Sequence, residues 1–538
     1  MQSEYIVYTN YSMAAEHVLS VPQMADAGKR AKISIGHMRR GLVCPTQPVL
    51  SGKTRQRITI PAFLSLYPTQ GGEEMSQGKA LSRRDFLRGC AGAAGLALVA
   101  GCTAPVQAPA TDTTAADGAP AQSAVELLYW SAVHQEWAEA KIEEYQAENP
   151  NVNIELVTFG STLDMNPKMI TASAGGTAPN LVFQDRFLVA GWAGRGGATP
   201  ITDLLPAYDI NADDFLEATW NECVWLDQIY GVPFDTDVRA VFWNPELFAE
   251  AGLDPDTPPP THDWEAMVEL AGKLTKSASD GSIEIMGFIP TQVLSNAYGN
   301  GGDYIYVWAN DGDFLKDERT AWMDNPKIVE TLQWEYDITN AVGGIDKAAE
   351  FSSGWPSMAG FNPFGSGYLA MMVNGGWNLA DFAEYYPDLE FNVGIWRKRG
   401  QEDDYVNFSG GFCLSLPAGA QHVDETFALV SFLSSYEAQL DAAIRYQRIP
   451  ALKAAVADKA LLDSSPYPEK QKIINESAAY GRFRPVSPVA GQIHSYWVRP
   501  GTGRDWVMYG EKSAEQACAD MNVAIQEELD AFWSSVEG

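Results

Sequence analysis

Three short apolar runs, separated by stretches with helical spacing, constrain the fold of this chain more than any other feature. "VELLYW" begins at Val125 and reads as a strand. After it Ala138, Ile142 and Tyr145 recur at intervals of four and three, one face of a helix, and Asn149-Pro150 stops that helix. Val152, Ile154 and Leu156 then alternate with polar residues, a second strand. A further helical stretch leads to "LVFQD" at 181–185. Strand, helix, strand, helix, strand is the order of a parallel α/β sheet, since parallel neighbours need a crossover and a helix supplies it. Such sheets bind ligands beyond the carboxyl ends of their strands. Trp130 and His134 follow the first run and Asp185 and Arg186 end the third, so all four are expected on one rim.

The chain has 538 residues, more than one core normally serves. Its 46% apolar content is that of a globular protein. The net charge is −32 and unevenly spread: beyond Cys102 there are 63 acidic and only 25 basic residues. Phosphate binding needs a basic surface, so a nucleic-acid partner is excluded; the acidity reads as solubility. All 16 tryptophans lie beyond Cys102, which places the folded material there. The cysteines are Cys44, Cys90, Cys102, Cys223, Cys413 and Cys518, with no C-x-x-C pair and hence no zinc-ribbon or thioredoxin-type site. The last three read as buried free thiols, with at most one internal disulfide possible among them.

Ser82-Arg83-Arg84-Asp85-Phe86-Leu87-Arg88 resembles a twin-arginine export motif. The Gly/Ala-rich run from Gly89 to Ala100 is short for a bilayer span, which takes about 20 apolar residues. Val99-Ala100-Gly101-Cys102 resembles a lipobox, in which Cys102 would be acylated and become the first mature residue. The expected organisation is a signal at 75–102, starting from Met75, preceded by a spurious or extra leader at 1–74. The Ala/Pro/Thr-rich segment 103–123 cannot bury enough apolar area to fold and reads as a tether with a reach of roughly 25 Å.

From about Glu126 onward the chain resembles the extracellular solute-binding proteins of carbohydrate ABC importers, the maltose-binding-protein-like class. The resemblance rests on four segments in order: "SAGGTAPNLVFQDRF", "YGVPFDTDVRAVFWNPELFAEAGLDPDTPPPTHDWEAMVELAGKLT", "GYLAMMVNGGWNLADF" and "SGGFCLSLPAGAQHVDETFALVSFLSS". Local chemistry agrees. Ala251-Gly252 looks like a helix end with a glycine cap, Pro258 to Pro260 forbid helix, and Thr261 or Asp263 can cap the helix carrying Trp264, Met267, Val268 and Leu270. Cys518, Met521, Ile525, Leu529 and Phe532 form the packing stripe of a tail helix. The resemblance implies an α/β, two-lobed periplasmic-binding-protein fold of type II whose hinge is crossed more than once. One lobe would hold 124–236 and 407–446, the other 240–404 and 450–538, with "VRAVFW" (238–243) leaving the first crossing.

A sugar offers C–H faces for aromatic rings and hydroxyls for carboxylates, amides and guanidinium groups. By resemblance Asp185 and Arg186 would bond sugar hydroxyls, and Asp237 would be a hinge carboxylate, with Asp235 a close rival. Trp377 would stack on sugar from the second lobe, and Trp130 would stack from the first. Gly410 and Gly411 would shape the cleft backbone, and Arg448 would approach it near the last crossing. The basic residue that some relatives place early in the cleft has no counterpart around Ser161 to Asn166.

The implied function is that of a monomeric receptor, lipid-anchored on the outer face of the cytoplasmic membrane. It would capture a sugar by lobe closure and deliver it to the permease of an ABC transporter, with no enzymatic activity, metal or cofactor. The rivals are a receptor of the same fold for a polyamine, a secreted glycoside hydrolase, and a sensor subunit presenting ligand to a membrane kinase. No Gly-x-Ser-x-Gly or His-Glu-x-x-His signature supports the hydrolase.

Overall fold

The computed structural model describes residues 124–290, 303–356, 358, 360–498 and 501–537. The leader 1–74, the signal with Arg83, Arg84 and Cys102, and the tether 103–123 lie outside the described residues. Strands β1 (Val125–Ser131), β2 (Val152–Thr158) and β3 (Leu181–Asp185) fall where the apolar runs place them. Helices Gln135–Glu148 and Thr162–Ala174 connect them. Trp137, Ala138, Ile142 and Tyr145 are the buried face of the first helix, and β1 pairs in parallel with both β2 and β3.

Further along come β4 (Val232–Pro233), β5 (Arg239–Trp243), β6 (Met371–Gly375), β7 (Asn392–Gly394) and β8 (Phe412–Ser415). The first sheet has the order β2-β1-β3-β8-β4, and β8 runs antiparallel to β3 with Leu414 opposite Phe183. The sheet is therefore completed by a strand that returns more than two hundred residues later. The second sheet is antiparallel, β6-β5-β7, around the fully buried run of β5.

Each sheet carries its own core. Leu127, Phe183, Phe234, Cys413, Phe427 and Ala451 belong to the first. Val238, Phe242, Trp396, Phe408, Ile449 and Leu529 belong to the second. The chain passes between the cores from Phe234 to Val238, back from Phe408 to Cys413, and again over 442–474, where Ala442 lies in the first core, Ile449 in the second, Ala451 in the first and Ile474 in the second. This is the two-lobed fold with a hinge crossed more than once. The tail helix Ala514–Glu537 buries Cys518, Met521, Ile525 and Leu529 in the second core, while Phe532 and Trp533 reach Ala190 and Trp225. Asp263 caps Trp264–Leu274 by accepting from the Ala266 N–H, and Gly252 ends the preceding helix region at φ 69°.

Candidate functional site

The three crossing segments are bonded to one another. Asp235-Thr236 pairs with Ile449-Pro450, and Asp237 exchanges backbone hydrogen bonds with Gly410 at 3.1 and 3.0 Å. Asn407 Oδ1 accepts from the Arg239 N–H at 2.8 Å, and its Nδ2 donates to Ser477 Oγ at 2.8 Å. Around this knot stand four carboxylates and four guanidinium groups. Arg484 pairs with Asp185 and Glu222, and Arg186 with Glu222. Arg448 pairs with Asp235 and Asp237, and Arg239 with Asp237. Removing such charges from water costs several kcal/mol per ion, so they persist only when each has several partners, which this chain of pairs provides.

Asp235 is the most strongly held. Burial opposes its charge, but Arg448, the His134 hydrogen bond at 3.3 Å and the Phe412 N–H at 2.8 Å outweigh that and keep its carboxyl well below the usual range. Asp237 is lowered in the same way, burial being overcome by Arg239 and Arg448. His134 is pushed down by burial against the pull of Asp235, so it is neutral at pH 7. Its ring stacks on Tyr446 at 4.3 Å, and its backbone takes the left-handed conformation at φ 54°.

Asp237, Trp377 and Arg448, expected at the cleft, do come together. The Arg239 and Arg448 guanidinium groups lie 5.0 and 5.7 Å from the Trp377 ring centre, within cation–π range. Arg448 also lies 5.2 Å from the Phe412 ring. A gap of about 10 Å³ remains between Asp237, Trp377, Gly376, Arg448 and Ile474, room for one water. A wider cavity of about 460 Å³ opens beside the ion chain, bordered by Ser409, Arg482, Phe483, Arg484 and Asn221. Asp237 and Trp377 line the narrow gap, and both are partly exposed.

The other expected residues are placed differently. Arg186, read as a hydroxyl donor to sugar, is 0% exposed. Its donors go to Glu222 and to the carbonyls of Asp235, Ser409, Gly410 and Phe412, so here it ties the crossings together. Asp185 is engaged by Arg484 and accepts from the Phe187 N–H. Trp130 lies apart from the ion chain, 4.9 Å from Phe159 and packed near Met169, Val182 and Trp192. Gly410 and Gly411 make room for the charges. A Cβ on Gly410 would overlap the Phe408 ring and lie 2.6 Å from Asp237 Oδ1. Gly411 has φ 120°, and a Cβ there would lie 2.7 Å from Asp235 Oδ1.

Arg239, Arg484 and Glu222 escaped the sequence reading. The available signal was a single charge inside an apolar or proline-bounded run: "VRAVFW", "FRPV", "NECVW". Among the described residues no group of three or more His, Cys, Asp or Glu is placed to hold a metal ion, and no helix is long and apolar enough to cross a membrane.

Comparison with known proteins adds the family. The chain is 22% identical to the arabinooligosaccharide-binding protein of Bacillus subtilis, over 58% of this chain and 70% of that protein. It is 27% identical to an uncharacterized lipoprotein of Streptomyces antibioticus, over 48% of this chain and 57% of that protein. Among solved structures, CpMnBP1 with mannotriose bound aligns with a TM-score of 0.64 at 26% identity, covering 74% of this chain and 99% of the other. Residues 140–468 match the family described as bacterial extracellular solute-binding protein, a family of transport binding proteins rather than enzymes. The chain belongs to the bacterial extracellular solute-binding proteins.

Proposed function

We propose that this protein captures a neutral mono- or oligosaccharide between its lobes and hands it to the membrane subunits of an ABC importer. The observation that carries this reading is the balanced ion chain at the hinge. Four carboxylates face four guanidinium groups, with Trp377 and Phe412 rings against the arginines. The part of it that is not buried, Asp185, Asp237, Arg448 and the Trp377 ring, offers hydroxyl-bonding charges and a ring face, and the enclosed partners balance its charge, which suits a sugar. A polyamine needs surplus carboxylate, and none is left over here. Glycoside hydrolysis needs an accessible protonated carboxyl as general acid, whereas Asp235 and Asp237 are held ionised and Glu222, which burial pushes up, is enclosed between Arg186 and Arg484. The sugar-binding relatives support the same choice.

In this reading the narrow gap beside Trp377 widens as the lobes part, ligand enters, and closure returns the arginines and the ring onto it. Asp237, Trp377, Arg448 and Asp185 are the ligand contacts, Gly410 and Gly411 shape the wall, Trp130 extends the site for a longer ligand, and Arg186 holds the crossings. Lobe limits of 124–236 with 407–446 and of 240–404 with 450–538 belong to the proposal. So do export through Arg83 and Arg84, a lipid anchor at Cys102, a 103–123 tether, and a monomeric state. The lipoprotein relative supports the anchor.

A thermal-shift panel tests the reading. Neutral manno-, arabino- and malto-oligosaccharides and spermidine are compared at 1 mM. A ligand with a Kd of 10 μM, at about 100 times that concentration, stabilises by about 2.7 kcal/mol. At least one saccharide is expected to raise the Tm and spermidine to leave it unchanged. A response to spermidine alone, or release of cleaved sugar, overturns the proposal.

A further inference from the structure

His134 follows β1 at the rim where the sequence places it, but its ring is turned inward: the side chain is 8% exposed. The loop before it is tight. Ser131 Oγ donates to the Val133 carbonyl at 2.7 Å and accepts from the Val133 N–H at 3.3 Å. His134 then takes the left-handed conformation at φ 54° and starts helix Gln135–Glu148, its carbonyl accepting from the Ala138 N–H at 2.9 Å. Histidine is among the residue types enriched in this conformation. Tyr446 stacks on the ring at 4.3 Å, and Phe183, Phe234 and Phe412 surround it at 5.8, 6.2 and 6.1 Å.

The ring meets the hinge at Asp235, whose two carboxylate oxygens divide their partners. Oδ1 accepts from the Phe412 N–H at 2.8 Å. Oδ2 faces both His134 Nε2, at 3.3 Å, and Arg448 Nε. An ionised carboxylate only accepts, so in the neutral ring Nε2 carries the proton and Nδ1 the lone pair. Arg448, held by that oxygen through Nε, reaches Asp237 Oδ2 through Nη2 at 3.1 Å and lies 5.7 Å from the Trp377 ring centre.

We propose that His134 is a positioning residue for Arg448: it does not touch the sugar, but locks the Asp235 carboxylate that aims the guanidinium at the ligand. The torsion that turns an aspartate carboxylate is soft. With one donor fewer on Oδ2 the carboxylate turns more freely, and Arg448 turns with it. That Arg448 contacts a sugar rests on the function proposed above; the link from His134 to Arg448 does not.

Two measurements on the full chain test this. The first needs no sugar. Imidazole nitrogen NMR spectra, with His134 assigned by its absence from His134→Gln, read the tautomer and the pH titration. Facing the ring are Asp235 on the first crossing, Arg448 on the third and Tyr446 on helix Tyr436–Tyr446. Burial holds its pKa down, Asp235 pulls it up and Arg448 pushes it down again. The expected result is a neutral, Nε2-protonated ring at pH 7 whose pKa rises in Arg448→Met. An Nδ1-protonated ring, or a titration indifferent to Arg448→Met, overturns the link.

In the second, the saccharide with the largest thermal shift is titrated into wild type, His134→Gln and His134→Phe. Glutamine carries its amide nitrogen as many bonds from Cβ as Nε2, and Gln447 already sits at φ 50° in this chain. Phenylalanine keeps the ring against Tyr446 without the donor. His134→Gln is expected to bind within about 2-fold of wild type and His134→Phe about 3- to 10-fold more weakly. That is less than the full worth of a charge-assisted bond, because the effect reaches the sugar through Arg448. Equal affinities in all three, or equal losses in both variants, make His134 a packing residue and overturn its positioning role. Should no saccharide shift the wild type, the proposed function fails, and the link to Arg448 is still decided by the spectra.

Discussion

Arg448 stands between Asp235 and Asp237 and against the Trp377 ring, so its removal is felt by three partners at once. Arg448→Ala leaves two buried carboxylates short of a cation, a loss of about 3–5 kcal/mol in urea unfolding by the usual cost of breaking a buried pair. Asp235→Asn introduced with Arg448→Met removes that pair of charges together and leaves Asp237 its Arg239, and this double variant is expected to recover much of that loss. Equal instability of the two proteins would show that Arg448 acts by packing alone. At this scale the sequence placed Trp377 and Asp237 together through the segments that carry them, and the structure sets both beside Arg239 and Arg448. The sequence was illegible where a residue's role depends on a distant partner. Arg186 and Glu222 are 36 positions apart and Arg484 and Asp185 are 299 apart, and no spacing rule connects them. The placement of Arg186 follows from that: an arginine after a strand looks available until the carbonyls of two other segments close over it.

Among the elements, helix Pro326–Ala341 carries an anomaly, the fully buried Glu335. Both its carboxyl oxygens lack a hydrogen-bond partner, and Arg504 Nε is 3.9 Å away. Burial, only partly offset by Arg504, pushes its pKa well above the carboxylate range. The folded protein therefore binds this proton more tightly than the unfolded chain. The associated stability is complete below the unfolded value of about 4.3 and is lost as pH rises toward the folded value. Glu335→Gln keeps the shape without the proton, so it should match the wild type near pH 4. Above that it should exceed it by about 1.4 kcal/mol per pH unit, up to the folded pKa. Thermal unfolding at pH 4, 5.5 and 7 checks this; a variant less stable than wild type at pH 7 would mean that Glu335 is ionised against Arg504. Elements with a strict period were legible in the sequence. The tail helix buries Cys518, Met521, Ile525, Leu529 and Phe532, the stripe its spacing marks, because a helix period is local information.

For the whole molecule the informative relation is between the three crossings and the two cores. The opening βαβαβ run is legible because each strand is close in sequence to its neighbour, whereas β8 joins β3 only after the chain has built the second lobe. Composition cannot foresee that return, and here it came from resemblance to a family. The same topology gives the proposed function its mechanical test. Crossings bonded through Asp235, Asp237, Gly410 and Ile449 form a narrow joint, so motion should be a rotation about it that leaves each core intact. With saturating sugar, small-angle scattering should report a smaller radius of gyration. Trp377→Ala removes the ring that faces the arginines but touches no crossing hydrogen bond. It should weaken sugar binding about 10- to 100-fold, the equivalent of 1.4–2.8 kcal/mol, and at sugar levels high enough to fill the weakened site it should close as fully as wild type. Closure that fails even at saturation would place the ring in the hinge mechanism rather than in the grip on the ligand.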